Sequence, residues 1–174
     1  MHAFSLTPLS LDHCSALLDF EIRNKAWFEQ HIPPRPARFF DLPGLTRATR
    51  QSIDLQGHQT HLMFVVENES KQIIARANIH DIQDEYAEIG YRVCEKEIGK
   101  GIATNAVMAL LEICRSELTV DYVLAKTTPQ NIASQKVLER TGFLYTGKEK
   151  NSTTLNHRYH DLLHFQFPLC RTSR

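Results

Sequence analysis

No two cysteines in the sequence stand at the C-x-x-C spacing of a zinc ribbon or a redox pair. Cys14, Cys94, Cys114 and Cys170 are scattered along the chain, which argues against a disulfide-stapled scaffold and for a reduced, cytoplasmic setting. No apolar run approaches the roughly 18 residues of a membrane span. The N-terminus has no basic region followed by an apolar stretch, so a soluble, unexported protein is expected. Neither sign of charge is in excess. The 20 Lys and Arg are balanced by 20 Asp and Glu, so the broad basic footprint of a nucleic-acid or anionic-membrane binder is missing. Glycine and proline are sparse at 7 each, which excludes fibrous and low-complexity classes. What remains, 42% hydrophobic and 23% charged over 174 residues, is the composition of one folded domain over 1–174.

The hydrophobic period changes several times along the chain. Residues 3–7 alternate weakly as a short strand, and behind Ser10 the residues Leu11, Cys14, Leu17, Leu18 and Ile22 recur at helical spacing. The prolines at 33, 34 and 36 make 31–36 a loop. After Pro43-Gly44 a second helix is predicted over 45–56, stopped by Gly57. Runs at 62–66 and 72–79 flank the polar turn 68–71 as a hairpin, and a third run at 87–93 extends it into an antiparallel meander. From Gly101 the period becomes helical: Ile102, Ala103, Ala106, Val107, Leu110, Ile113 and Cys114 form one stripe, the strongest helix in the chain. A strand at 122–125 leads into a helix at 132–140, closed by Gly142 as a left-handed cap. Strands near 143–146 and 159–167 complete a mixed α+β order without internal repeats.

The segment Ile98-Gly99-Lys100-Gly101-Ile102-Ala103-Thr104 joins a strand to that strongest helix. Its N–H groups converge at a helix N-terminus, which attracts phosphate. A glycine turn without a ligand is the alternative reading of this segment alone. Two other nucleotide motifs fail. A P-loop ending on Gly99-Lys100 needs glycine where Cys94 stands and Ser or Thr where Gly101 stands. A Rossmann fingerprint begun at Gly99 needs a small residue at Thr104, and an acidic residue after the next strand where the chain offers Thr127-Thr128.

Three pieces together resemble the GNAT acetyltransferases of the RimJ/RimL branch. They are Glu88-Ile89-Gly90-Tyr91-Arg92-Val93, the loop and helix start at 99–107, and the Asn131-x-x-Ser134 helix that ends in Gly142-Phe143. The likeness spans roughly residues 62–167. One position departs from the superfamily pattern Q/R-x-x-G-x-G/A, because Ile98 stands where a polar residue is usual.

The resemblance implies a GNAT fold: a mixed, mostly antiparallel sheet of six to seven strands, flanked by about four helices and splayed between the fourth and fifth strands. It implies acetyl-CoA as cosubstrate and a primary amine as acceptor, possibly a protein N-terminal α-amine, in a monomer or homodimer. Its cradle maps onto Gly99, Lys100, Gly101, Ile102, Ala103 and Thr104 for the pyrophosphate, and onto Arg92, Val93, Asn131, Ser134 and Lys136 for the rest of the cofactor. Glu88 is the candidate base, and Ser134 the candidate group at the thioester sulfur. Asn131 also suits a helix N-cap, Ser134 a solvated helix serine, and Glu88 an outward-facing strand residue. Alternatives are a polyamine or amino-sugar acceptor, or an acyl-CoA-binding module without catalysis. The histidine groups, His58 with His61 and His157 with His160 and His164, lack the accompanying Cys or carboxylate pattern of a zinc site, so no metal is expected.

Overall fold

Alternation and turn chemistry build a single open sheet in the computed structural model of the chain, which describes residues 4–155 and 157–169. Residue 3 of the expected first strand and Cys170 lie outside the described residues. The strands are β1 (Phe4–Pro8), β2 (Leu62–Asn68), β3 (Ile73–His80), β4 (Tyr86–Val93), β5 (Tyr122–Thr127), β6 (Leu144–Leu155) and β7 (Arg158–Pro168). Their spatial order is β1-β2-β3-β4-β5-β7-β6. Five helices accompany them: α1 (Cys14–Arg23), α2 (Lys25–Phe28), α3 (Leu42–Gly57), α4 (Ile102–Glu117) and α5 (Ile132–Arg140).

Every neighbouring pair is antiparallel except β4 and β5, which run parallel from Tyr86↔Tyr122 to Ile89↔Ala125. Beyond that point the two strands part. Each lip of the split is held from outside: β4 stays paired with β3 as far as Ala75↔Val93, and β5 with β7 as far as Thr127↔Leu163. The backbone of Gly90 to Val93 is therefore fixed in place, yet has no strand on its open side.

The helices divide between the two faces. The α4 stripe of Ile102, Ala106, Val107, Leu110, Leu111 and Cys114 is buried against Ala75, Ala77, Ile79, Ala87 and Ile89. Each fully buried Leu or Ile in it contributes roughly 1.5–3 kcal/mol. On the other face Leu17, Phe20, Phe28 and Leu45, from α1, α2 and α3, pack over Val65 and Ile73. Period-2 alternation along β4 then directs Ala87, Ile89 and Tyr91 toward α4 and α5, while Glu88, Gly90 and Arg92 face the N-terminal helices.

Local signals explain most departures from the sequence reading. Helix α3 begins at Leu42, three residues early, because Asp41 caps it. Its Oδ1 accepts from the Gly44 N–H at 2.7 Å, and Pro43 is tolerated in a first turn whose N–H has no partner anyway. Gly57 belongs to the helix, and the left-handed residue after it is Gln59, at φ 59°. The four residues of α2 are too few to show a period. Strand β6 runs to Leu155 rather than 146, through exposed polar residues that carry no alternation, and it holds register with β7 through two irregularities.

Gly142 does sit at the end of α5 in the left-handed region, at φ 91°, and a Cβ there would stand 3.1 Å from the Phe167 ring. Gly142→Ala is expected to lose about 1–3 kcal/mol of stability. It should appear as a lower urea midpoint with an unchanged slope.

Candidate active site

The split between β4 and β5 opens a cavity of about 590 Å³ that passes from one face of the sheet to the other. At one end, Gly99 and Gly101 have φ of 77° and 78°, and Gly101 is the N-cap of α4. These angles turn the loop so that the first N–H groups of α4, at Ile102, Ala103 and Thr104, point outward with no carbonyl one turn earlier to receive them. The first helical bond runs from the Asn105 N–H to the Gly101 carbonyl, at 3.0 Å. Gly99, Gly101, Ile102, Ala103 and Thr104 all line the cavity. Lys100 does not: its ammonium is turned to Glu97, a residue of the lining, at 2.9 Å. Ile98, 48% exposed, covers the rim with apolar surface where a polar side chain is usual.

Toward α5 the cavity meets Asn131, Ser134 and Lys136. Asn131 caps the helix: its Oδ1 accepts from the Ser134 N–H at 3.1 Å. The cap uses the oxygen and leaves the side-chain NH₂ free of any partner among the described residues. Ser134 Oγ lies 3.0 Å from the hydroxyl of Tyr91, a residue that the sequence reading passed over. Alternation on β4 was the available signal, since it puts Tyr91 on the same face as Ile89 and so toward α5. Burial pushes the Tyr91 phenol up to about 12, with the Ser134 hydrogen bond opposing it. Tyr91 is therefore a protonated hydrogen-bond partner at neutral pH.

The opposite mouth of the split is polar. Glu88 Oε2 holds Lys126 Nζ at 2.6 Å, and the two side chains are 14% and 36% exposed. Burial pulls the Lys126 ammonium pKa down, but the hydrogen bond and charge of Glu88 outweigh it, so the net shift is upward and the pair stays ionic. His80 stands across from Glu88 in the β3–β4 register. Burial lowers its pKa, with Glu88 opposing and His61 adding to the fall, so its imidazole is neutral near pH 7. Asn78 Oδ1 and His31 Nδ1 are buried on the cavity wall with no hydrogen-bond partner among the described residues. The indole of Trp27 donates to the Val93 carbonyl at 3.2 Å and tethers α2 to the lip of the split. Arg92 lines the cavity but turns its guanidinium to Glu21 and over the Phe28 ring, 5.1 Å from the centroid.

The family described as the acetyltransferase (GNAT) domain matches residues 4–144. The chain belongs to the GNAT acetyltransferases. Among curated GNAT relatives, YdaF of Bacillus subtilis (strain 168), provisionally named a ribosomal N-acetyltransferase, is 32% identical over 118 residues. That match spans 67% of this chain and 62% of YdaF. The ribosomal-protein-serine acetyltransferase of Escherichia coli (strain K12) is 26% identical over 92% of this chain and 89% of its own length. The fold agrees with two solved GNAT structures. The ribosomal-protein-alanine acetyltransferase of Vibrio fischeri superposes with a TM-score of 0.92 at 21% identity, covering 97% of this chain and 94% of that one. A RimL structure in complex with coenzyme A gives 0.89 at 23% identity, covering 95% and 94%.

The residues present fit the family's cosubstrate. Acetyl-CoA needs donors for a pyrophosphate, a slot for an extended pantetheine arm and a dry place for the thioester. The α4 N-terminus, the unpaired lip of β4 and the Tyr91–Ser134 pair supply surfaces of those three kinds within one cavity.

Proposed function

We propose that this GNAT N-acetyltransferase acetylates the α-amine of a protein or peptide N-terminus, in the cytoplasm, with acetyl-CoA lying through the split between β4 and β5. The observation that carries the reading is that one cavity joins the glycine loop of α4 to a mouth lined by Glu88, Asn78 and His80. The names of the relatives favour an N-terminal acceptor over a polyamine or an amino sugar. The pyrophosphate lies on the N–H groups of Gly99 to Thr104, and the pantetheine arm continues the sheet beside Arg92 and Val93, with Asn131 donating to it. Lys136 stands on the same wall for the remaining phosphate. Lys100, held by Glu97, contributes charge from outside.

The chemistry needs a neutral amine. An α-amine titrates near 7.7–8.0, so part of it is neutral at pH 7, and the Lys126 ammonium beside Glu88 disfavours a second positive charge there. The amine nitrogen attacks the thioester carbonyl carbon, forming C–N. Collapse of the tetrahedral intermediate breaks C–S, and the CoA thiolate takes a proton through the Ser134 hydroxyl, matching the one that Glu88 receives and returns to solvent. Ser134, hydrogen-bonded to Tyr91, is the group that meets that sulfur. Glu88 accepts the proton that the amine gives up. No covalent enzyme intermediate forms. Holding amine and thioester together supplies the larger part of the rate, about 7–11 kcal/mol of barrier.

Acetyl-CoA binding by calorimetry, followed by peptides with free or blocked N-termini and a spermidine control, tests the reading. Acetylation confined to free α-amines is expected, and acetylation of lysine or spermidine alone would overturn it. Ser134→Ala is expected to lower kcat about tenfold or more while CoA affinity stays near that of the wild type. Tyr91→Phe, which removes only the hydroxyl that orients Ser134, should give a smaller loss in the same direction. Equal single-turnover rates for Ser134→Ala and wild type would remove Ser134 from the reaction.

A further inference from the structure

A second cavity, of about 150 Å³, lies behind the acceptor mouth, and Asn78 and Arg92 line both spaces. Three guanidinium groups border it: Arg35 from the proline loop, Arg76 from β3, and Arg92 from β4, directly across from Arg76 in register. Among the described residues one carboxylate is set against them. Glu21, 2% exposed, pairs with Arg92. Arg76 is 8% exposed, and its guanidinium makes no ion pair or hydrogen bond among the described residues. The Nε groups of both Arg76 and Arg92 are buried without a partner. Arg35 lies over the Phe39 ring at 4.7 Å and is otherwise free to turn inward.

Such an arrangement is costly by itself. A buried charge is normally paired and hydrogen-bonded, and like charges crowded together raise the penalty. Burial, followed by the charge of Arg92, pulls Arg76 down to about 9, so it still carries its proton at neutral pH. The cluster holds three positive charges and one negative, around a space large enough for an anionic group. A guanidinium fork matches a carboxylate or a phosphate in shape as well as in charge.

Resting on the acetyltransferase reading above, we infer that the cavity bordered by Arg35, Arg76 and Arg92 is an anion subsite for the acceptor. It receives a carboxylate or phosphate carried within a residue or two of the amine being acetylated. The shared wall gives the two ends of such an acceptor opposite surroundings: the unpartnered Asn78 oxygen with Glu88 for the amine, and the arginines for the acid. The acceptor is thus recognised as a short dipole, and the class it selects is N-termini followed closely by Asp, Glu or a phosphorylated residue. Polyamines and other plain cationic amines have nothing to place there.

The test uses the full chain saturated with CoA, so that the phosphate loop is filled and does not compete. Hexapeptides with a common first residue carry Asp, Glu or phosphoserine at the second or third position, the matching amides or serine there, or the same acid moved to the sixth. Calorimetry reads binding without turnover, and KM is then measured with acetyl-CoA. Near acids are expected to bind about tenfold or more tightly than their neutral counterparts or the distal acids, from one or two charge-assisted bonds. Comparison of the carboxylate and phosphate peptides says which anion the space takes. Arg35→Gln, on an exposed loop, and Arg76→Met should each erase the preference, with neutral peptides and CoA binding unchanged, and Arg35→Lys should restore part of it. Equal affinity for near acids and their neutral counterparts, or a preference that survives Arg35→Gln, overturns the subsite. A chain that binds acidic peptides selectively but never binds acetyl-CoA would instead sink the catalytic reading and leave the subsite standing.

Discussion

Gly101→Val is expected to weaken acetyl-CoA binding by about a hundredfold or more while the fold survives. Gly101 sits at φ 78° as the N-cap of α4, and Gly99 at φ 77° two residues before it. A β-branched residue in that region costs on the order of 1–3 kcal/mol. No atom lies within 4 Å of the position a Cβ would take, so the damage is conformational and not a collision. The loop relieves the strain by leaving the left-handed region, and the N–H groups at the start of α4 then no longer converge on one point. The stripe of α4 that packs the core begins only at Ile102 and is anchored further along by Leu110 and Leu111, both fully buried, so global stability should fall little. Calorimetry with acetyl-CoA and a thermal melt on the same sample check both halves. Wild-type affinity in a folded Gly101→Val protein would mean that the pyrophosphate does not lie on this loop.

The parts of the site that were legible in the sequence are those in which one backbone feature forces one residue type. Gly99, Gly101 and Gly142 announce positive φ, and the α4 stripe from Ile102 announces a buried helix face. The split between β4 and β5 cannot be read that way. It is a missing pairing, and Gly90-Tyr91-Arg92-Val93 has the composition of any strand; only the resemblance put the opening there. Contacts between distant segments were also invisible. Lys126 is 38 residues from Glu88 in sequence, and nothing local says that parallel pairing at Glu88↔Leu124 brings the two together. The same holds for Tyr91 and Ser134, and for Glu21 and Arg92. Alternation told which strand face each residue takes, but the partner waiting on that face came from another element.

Two contacts, one local and one long-range, change the chemistry expected of single residues. Asn131 had two sequence readings, helix cap and pantetheine ligand, and its amide has one end for each: the oxygen receives the Ser134 N–H, and the NH₂ remains for a ligand. Glu88 had been set between a base and a solvated strand residue. Its ion pair with Lys126 fits neither in its plain form, because a carboxylate held by an ammonium is a weaker proton acceptor than a free one. In the mechanism we propose, the pair works instead as a unit: Lys126 lowers the proton affinity of an incoming amine, and Glu88 takes the proton when attack on the carbonyl makes that nitrogen strongly acidic.

Glu88→Gln is therefore expected to lower the pH-independent kcat/KM by about a hundredfold or more, within the range typical of a positioned base. Both enzymes capture only amine that is already neutral, so both profiles should rise through the 7.7–8.0 of the free group, and the height of the plateau is what separates them. Lys126→Met provides the companion measurement. Without the neighbouring cation the bound acceptor ammonium holds its proton more tightly, so the acidic limb of kcat should move to higher pH, while its plateau, reached once the amine is neutral, changes little. An isosteric amide at position 88 keeps the shape of the strand and a polar partner for Lys126, so a fall in rate reports proton transfer and not collapse of the cleft. Profiles of wild type and Glu88→Gln that share both limb and plateau would exclude Glu88 as the base. The proton would then leave by another group, and His80, kept neutral by burial and set across from Glu88 in the strand register, is the one to substitute next.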